Sequence, residues 1–132
     1  MSFERTDRGE PFNLAAACLQ ERAEDAASAD RLAFTFVDGE QVERWTYAQA
    51  WAEVQRIGRG LIARGLVTGD RVLVRLPHSP AYAFAFFGAN VAGLVPIPAS
   101  PQLTDEEARF LAEDSEARAL IATPQSHLGG FG

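Results

Sequence analysis

The sequence contains no lysine. All 12 of its basic side chains are arginines, and they are outnumbered by 18 acidic residues. A chain without lysine cannot supply an amine nucleophile, form a Schiff base or provide the lysine of a phosphate-binding P-loop. Arginine and alanine are both abundant, which is the bias that GC-rich coding tends to produce. Whatever its cause, the absence excludes these three kinds of chemistry from the 132 residues.

Cysteine and histidine are also scarce, with one Cys and two His. Cys18 cannot form an internal disulfide, which indicates a reducing compartment. Three widely separated residues of these types are too few for an ordinary zinc site, so no metal site is predicted. The formal net charge of −6 gives no basic surface for nucleic acid or an anionic membrane, and neither partner is predicted.

No targeting or membrane segment is predicted. Residues 1–10 are rich in charged side chains and have no apolar core, unlike a secretory signal. The uncharged run 76–104 is long enough to cross a bilayer, but prolines and glycines interrupt it. Its longest continuous helix, residues 80–93, would reach only about 21 Å at 1.5 Å per residue. The sequence therefore predicts a buried helix, no membrane span and a cytoplasmic location.

Length and composition predict one domain, whose first half reads as helix, hairpin and helix. Asn13 is a good N-cap for a helix that should run to about Ala29. Residues 32–37 and 42–46 alternate as strands around a tight turn at Asp38 and Gly39. A Thr-x-x-Gln capping box then begins an amphipathic helix, with Ala50, Val54, Ile57, Leu61 and Ile62 on one side and Gly65 after its end.

The second half predicts an α/β fold. Residues 71–76, 94–98 and 119–122 read as strands, and helices at 81–92 and 105–114 lie between them. This β-α-β-α-β pattern with short links is typical of a parallel crossover unit. Local signals support both helices. Ser79 and Pro80 suit the start of the first, and a second capping box begins the other at Thr104.

Three parallel strands leave a sheet with two open edges and two faces to cover. Helix 81–92 is apolar on nearly every side and must itself be covered on two faces. The two crossover helices and the helix that precedes the sheet can barely cover both faces of the sheet and this apolar helix as well. We therefore expect the chain to form part of a larger multilayer α/β domain, with residues 1–12 and 124–132 as loop or frayed ends.

Gly58, Gly60 and Ala63 match the dinucleotide-binding spacing G-x-G-x-x-A. That fingerprint requires a strand before it and a helix that opens at the glycines. Here the glycines lie deep inside a helix that begins near Thr46. The spacing therefore favours close helix packing at small residues over nucleotide binding.

Cys18 could act as a thiol nucleophile with His78 or His127 as its base. Because Cys18 shares the apolar face of its helix, we expect a small buried hydrophobe instead. His78 lies in a Pro-His-Ser-Pro turn at the carboxyl end of a strand, the side where open parallel sheets bind ligands. The sequence leaves two interpretations of His78 open: it is a site residue, or it is only a turn residue.

The acidic run from Asp105 to Glu107 is explained by helix capping and the helix dipole without a metal. The arginines are mostly spaced along the polar faces of helices, where solvent is their default environment. Arg71 and Arg75 are different, because they alternate with valines on one strand. We expect them to pair with acids at the strand edge.

Several short stretches, in a fixed order along the chain, give the sequence a family resemblance. It closely resembles the N-terminal region of the AMP-forming adenylate enzymes, which include acyl- and aryl-CoA synthetases, luciferases and peptide-synthetase adenylation domains. The similarity covers about residues 13–123 in the expected order. Its stretches are Trp45-Thr46-Tyr47, Ala63-Arg64-Gly65-Leu66, Gly69-Asp70-Arg71-Val72, Leu76-Pro77-His78-Ser79-Pro80, Phe86-Phe87-Gly88, Ala92-Gly93-Leu94-Val95-Pro96-Ile97-Pro98, Pro101-Gln102-Leu103-Thr104 and Glu113-Asp114-Ser115-Glu116-Ala117.

The resemblance implies a parent enzyme that activates a small carboxylic acid with ATP, releasing pyrophosphate, and then transfers the acyl group to coenzyme A. It implies ATP, Mg²⁺ and coenzyme A for that parent. The family's phosphate loop, adenine-stacking segment, ribose-binding Asp and catalytic Lys have no counterpart here. We therefore assign no catalytic, cofactor-binding or metal residue to this chain. We expect it to bind none of these cofactors alone and to be inactive alone, with residues 76–93 packed towards the domain interior.

The whole pattern looks nearest to fatty-acyl-CoA or benzoate-CoA ligases, and it predicts a fragment or truncation whose partner is the remainder of the parent polypeptide. Two alternatives stay open. One is an adenylation domain that loads a carrier-protein thiol instead of coenzyme A. The other is a stand-alone α/β interaction module without catalysis. The identity of the carboxylic acid cannot be predicted from these residues.

Overall fold

The computed structural model describes residues 12–124. The first helix combines a π-helical stretch with one α-helical turn, and we treat the two as α1. A hairpin and a long helix follow. In chain order these elements are α1 (Ala16–Gln20 and Glu21–Glu24), β1 (Leu32–Asp38), β2 (Gln41–Thr46) and α2 (Tyr47–Ala63).

The second half is a parallel sheet with two crossover helices. Strand β3 lies in the centre, and both β4 and β5 pair with it in parallel, so the order is β4-β3-β5. This confirms the predicted α/β fold and its β-α-β-α-β unit. The elements are β3 (Arg71–Arg75), α3 (Pro80–Val91), β4 (Val95–Pro98), α4 (Asp105–Asp114) and β5 (Ala119–Ala122).

Both predicted capping boxes form. The Thr46 hydroxyl accepts from the backbone N–H of Gln49 at 3.2 Å, and the Gln49 side chain accepts from the Thr46 N–H at 3.0 Å. Thr104 and Glu107 repeat the arrangement at the start of α4, at 3.1 and 2.8 Å. Each box satisfies two backbone donors that a helix start otherwise leaves unpaired. The starts of α2 and α4 are thus encoded locally.

Helix α1 ends five residues earlier than the sequence predicts, at Glu24 and not near Ala29. Asp25 is extended (φ −87°, ψ 119°), and its side chain accepts from the N–H of Ala27 at 3.0 Å. An Asp that hydrogen-bonds the backbone two residues on competes with helix continuation. The start was predicted correctly, because the Asn13 side chain accepts from the N–H of Ala16.

The hairpin turn is displaced by one residue from its predicted position. Asp38 pairs with Gln41, so the two loop residues are Gly39 and Glu40. Gly39 has φ +59°, in the left-handed region that glycine occupies without strain. The turn therefore places its glycine first, and Asp38 belongs to the strand.

The parallel sheet lies between α3 and α4. Along β3, successive side chains alternate between its faces. Val72 and Val74 pack in the clusters that contain Ala89 and Ala85 of α3, whereas Leu73 packs on α4 with Ala108 and others. All three β3 side chains are fully buried. Helix α3 is also covered by α2 on its other side, which gives the two-sided cover that its apolar sequence requires.

The contact between α2 and α3 is made by two glycines. A Cβ placed on Gly58 would lie 2.7 Å from Val91 Cγ1 and 3.1 Å from the Gly88 carbonyl oxygen. A Cβ on Gly88 would lie 2.9 Å from Ile57 Cβ. The prediction of close helix packing at Gly58 is confirmed. The dinucleotide interpretation is wrong, because these glycines sit in the interior of α2 with a neighbouring helix against them.

An aromatic cluster joins the first half to α3. Trp45 of the hairpin meets Phe84 of α3 edge-on with ring centroids 4.6 Å apart, and Phe34 lies 5.5 Å from Phe84. Trp51 and Leu19 are buried in the same cluster, so α1, α2, the hairpin and α3 share one core. Aromatic pairs in this geometry are worth about 0.5–1.5 kcal/mol beyond their buried area.

Two side chains predicted to be buried are exposed. Cys18 is exposed because the face of α1 that packs on the core carries Ala15 and Leu19, one position further round. The prediction that Cys18 is a buried hydrophobe is therefore wrong. Ile62, on the last turn of α2, is 54% exposed. Trp51, which the helical pattern did not single out, is buried instead.

Within residues 12–124, no helix combines the length and hydrophobicity needed to cross a membrane. The longest uncharged helix, α3, has 12 residues and is capped by Ser79 and Pro80 at its start. Ser79 accepts from the N–H of Tyr82 at 3.4 Å. The helix predicted between 81 and 92 is thus confirmed as a buried element of the α/β core.

We expect Gly88→Ala to destabilise the protein by about 1–3 kcal/mol, the usual cost of overpacking a filled contact. The added methyl group would meet the Cβ and Cγ2 atoms of Ile57, which cannot rotate away because the residue is β-branched. The measurement is the midpoint of thermal unfolding by circular dichroism at one fixed protein concentration.

Gly60→Ala is the matched control in the neighbouring helix. A Cβ there would make only an ordinary 3.6 Å contact with the Arg64 side chain. Because alanine favours a helix more than glycine does, this substitution should stabilise the protein by about 0.5–1 kcal/mol. Equal effects of the two substitutions would contradict the close α2–α3 contact.

Candidate functional site

A cavity opens at the carboxyl edge of the parallel sheet. It has a volume of about 260 Å³. Its walls come from the loop after β3, the first turn of α3 and the loop after β4. These are the places where open α/β sheets bind ligands. The lining residues are Leu76, His78, Tyr82, Pro98, Ala99, Ser100 and Pro101.

His78 contributes the imidazole side chain that lines this cavity. It is exposed, and its ring lies 5.5 Å from the ring of Phe36 in the hairpin. The predicted position at the carboxyl end of β3 is confirmed, and the hairpin contact was not foreseen. Among residues 12–124, no hydrogen bond joins Cys18 to His78, and His127 lies outside that range. The structure therefore does not assemble a thiol–imidazole pair from Cys18 and His78.

Arg75 is buried at the end of the central strand, one residue before Leu76 of the cavity wall. Only 4% of the residue is exposed. Its guanidinium donates to Asp105 Oδ1 at 2.9 Å and to the Leu103 carbonyl oxygen at 2.7 Å. These bonds fix the loop between β4 and α4 against the central strand. Arg75 therefore pairs with an acid, as the sequence predicts; its own side chain is buried, whereas that of Asp105 is 76% exposed.

Arg71, at the other end of β3, makes a much weaker pair. Its Nη1 lies 3.8 Å from Glu116 Oε2, and both side chains are largely exposed. Exposed pairs of this kind contribute about 0–1 kcal/mol to stability. The two arginines of one strand thus have different roles, because only Arg75 is enclosed by protein.

Two features of the helix starts among the described residues are unfavourable for binding a phosphate group. In the first turn of α2, α3 and α4, one backbone N–H is already bonded to the side chain of the capping residue, which is Thr46, Ser79 or Thr104. Helix α4 also carries three acids in its first turn, which would repel phosphate. Between residues 12 and 124, no group of three or more His, Cys, Asp or Glu could hold a metal ion.

Sequence reasoning missed several residues that shape this site. Tyr82 and Ser100 line the cavity, and neither forms part of a recognisable motif. Asn13 was predicted only as a cap, yet its side-chain amide also donates to the Asn90 carbonyl oxygen at 2.7 Å. That bond ties the start of α1 to the end of α3. Such contacts between distant segments carry no local signal.

Comparison with known protein families matches residues 19–129 to the family described as AMP-binding enzyme. The chain belongs to this family. The match spans the hairpin, α2, the β-α-β-α-β unit and the cavity at its carboxyl edge. The family resemblance inferred from the sequence is therefore confirmed.

Curated relatives of this AMP-binding family member include several CoA ligases and a coprinoferrin synthetase of Coprinopsis cinerea, which is 36% identical over 83 residues, covering 63% of this chain and 3% of the relative. The chain is 35% identical over 85 residues to 4-coumarate–CoA ligase of Vanilla planifolia, which covers 64% of this chain and 15% of the relative. It is 36% identical over 78 residues to long-chain-fatty-acid–CoA ligase FadD13 of Mycobacterium tuberculosis, with 59% of this chain and 16% of the relative covered. The chain thus spans less than one fifth of each of these relatives.

A solved structure shares the fold. The N-terminal domain of FACL13 from Mycobacterium tuberculosis aligns with a TM-score of 0.75 and 30% identity, covering 87% of this chain and 28% of that one. The α/β architecture described above is therefore that of one region of an AMP-forming ligase N-terminal domain. The expectation of a larger multilayer domain agrees with this coverage.

We expect Arg75→Met to destabilise the fold by about 1–3 kcal/mol, because the Leu103 carbonyl and Asp105 lose a charged donor. Arg71→Met is the matched control on the same strand and should change stability by no more than about 0.5 kcal/mol. Urea unfolding of both variants at one protein concentration measures the difference. If Arg71→Met were as unstable as Arg75→Met, the loss of stability would come from changing any arginine of this strand and not from losing the buried guanidinium.

Proposed function

We propose that this chain forms the N-terminal part of an ATP-dependent, AMP-forming acyl- or aryl-CoA ligase. The observation that carries the proposal is the alignment with the FACL13 N-terminal domain, at 30% identity over 87% of this chain. Such an enzyme converts a carboxylate and ATP to an acyl-adenylate and pyrophosphate. It then forms a thioester with coenzyme A and releases AMP.

In this proposal the chain contributes a scaffold and no reacting group. Its helix starts are capped by its own side chains, its acids surround the start of α4, and it has no lysine to neutralise a phosphate. ATP, Mg²⁺ and coenzyme A would be bound by the rest of the ligase polypeptide, which is the partner we propose. A cytoplasmic location also stays a prediction.

The substrate class remains as broad as acyl or aryl carboxylic acids. The relatives named for 4-coumarate and for long-chain fatty acids have almost the same identity to this chain, 35% and 36%. Their similarity to this region therefore favours neither acid. Transfer to a carrier-protein thiol, in place of coenzyme A, remains the alternative for the second step.

The first test of this proposal is ATP–pyrophosphate exchange with a panel of fatty and hydroxycinnamic acids. We expect no exchange by residues 1–132 alone and clear exchange by the polypeptide encoded by the complete reading frame. Exchange by the purified 132-residue protein, abolished by heat denaturation, would overturn the scaffold role. Product formation with coenzyme A or with a carrier protein then identifies the acceptor.

A second test separates this proposal from a stand-alone interaction module. Large apolar side chains are exposed on several elements, including Phe110 of α4 at 69% and Val37 of β1 at 62%. We expect the isolated chain to associate as concentration rises and to melt over a broad range. A monodisperse monomer with a sharp two-state melt would favour the independent module.

A further inference from the structure

One face of the hairpin is aromatic at its base and acidic at its tip. At the base, Phe34 lies opposite Trp45, and both pack in the cluster shared with α3. Alternate residues of a strand lie on one face, and directly opposed residues of an antiparallel pair lie on the same face. The same face therefore continues to the tip with two further opposed pairs, Phe36 with Glu43 and Asp38 with Gln41.

A cavity of about 420 Å³ lies at this tip, and we call it the hairpin cavity. The four side chains of the two outer pairs line it together with Val42. None of these residues lines the cavity at the sheet edge. Arg44 of the hairpin lies on the other face, because it is opposite Thr35. The described lining thus combines one aromatic ring, one aliphatic side chain, one amide and two carboxylates.

The two carboxylates of the hairpin cavity have no ion-pair partner among residues 12–124. Neither Asp38 nor Glu43 takes part in the salt bridges of these residues. The two are diagonal neighbours across the strands, because Glu43 lies two residues beyond the partner of Asp38. Diagonal positions are roughly 7–8 Å apart, so one cation placed between the two carboxylates can contact both.

The Phe36 ring makes the site selective for one kind of cation. Phe36 lies next to both acids, opposite Glu43 and two residues before Asp38. Its ring is also held from the turn before α3, where the His78 ring lies 5.5 Å away. A guanidinium group is planar, stacks on aromatic faces and presents its N–H donors in a fork that matches carboxylates. An ammonium group is compact and strongly hydrated, so it uses such a site less well.

We propose that the hairpin cavity binds an arginine side chain of a partner polypeptide. The guanidinium group lies against the Phe36 ring and donates to Asp38 and Glu43, and the side-chain carbonyl of Gln41 accepts a further N–H. The aliphatic part of the arginine covers Val42, which is 43% exposed. A free amino acid is a poorer ligand, because its own carboxylate would enter a site that already holds two acids.

A chemical-shift titration of the ¹⁵N-labelled 132-residue protein tests this site, at a protein concentration below the onset of association. The probe is Nα-acetylarginine methylamide, which imitates an arginine within a chain. We expect saturable shifts of the amides of residues 36–43. The neutral isostere Nα-acetylcitrulline methylamide should bind at least about 10-fold more weakly, because it makes no charge-assisted hydrogen bonds. Equal affinity for both probes, or a Kd for the arginine probe above about 10 mM, would overturn the proposal.

Two charge-neutral variants test whether the lining acids hold the probe. Glu43→Gln should weaken binding about 5-fold, and the exposed position of this side chain leaves the fold unchanged. Glu40→Gln is the matched control, because it removes the same charge from the loop of the same hairpin without touching the cavity lining. At about 0.15 M salt it should change affinity less than about 2-fold. Equal losses in both variants would mean a diffuse charge effect and would overturn the site.

Phe36→Leu tests the ring contact. It should weaken binding of the arginine probe about 3-fold and leave binding of the citrulline probe unchanged, because only a cation is attracted by the ring quadrupole. A variant that weakens both probes equally would contradict the contact between the cation and the ring.

Two further probes test the source of the cation. We expect Nα-acetyllysine methylamide and free arginine to bind more weakly than the arginine probe. Equal affinity for the lysine analogue would overturn the guanidinium assignment. Tighter binding of free arginine would overturn the polypeptide partner and would indicate a free metabolite as the ligand.

Discussion

The close contact between Gly58 and Gly88 is the constraint on which the rest of this structure depends. Helix α2 belongs to the half that contains the hairpin, and α3 belongs to the parallel sheet. Only where both helices lack a Cβ can their backbones approach closely enough for Val54 and Phe84 to share one core. The contact therefore joins the two halves into one layered unit and fixes the distance at which the aromatic side chains of the hairpin meet α3.

Much of the fold could be predicted from the sequence because its signals are local. The capping boxes at Thr46 and Thr104 each lie within four residues, and a hydroxyl and a carboxamide or carboxylate at that spacing have few other uses. The apolar run of β3 and the prolines near it likewise mark a buried strand and its end. These elements needed no knowledge of distant parts of the chain.

The rest required tertiary information. Cys18 and Leu19 are adjacent apolar residues, and only the position of α2 decides which one the core covers. The end of α1 depends on whether Asp25 continues the helix or forms a turn, and these two conformations are close in free energy. For the candidate site, the position of His78 followed from strand and turn signals. Its cavity did not, because Tyr82 and Ser100 come together only after the sheet has formed.

The two prolines of β4 have a consequence for synthesis on the ribosome. Chains emerge from their N-terminus, and domains generally begin to fold in that order. Here β4 is made before β5, and two of its four residues are prolines, which have no N–H to donate. The strand edge that β4 brings to the sheet is therefore poor at pairing with a strand of a neighbouring nascent chain.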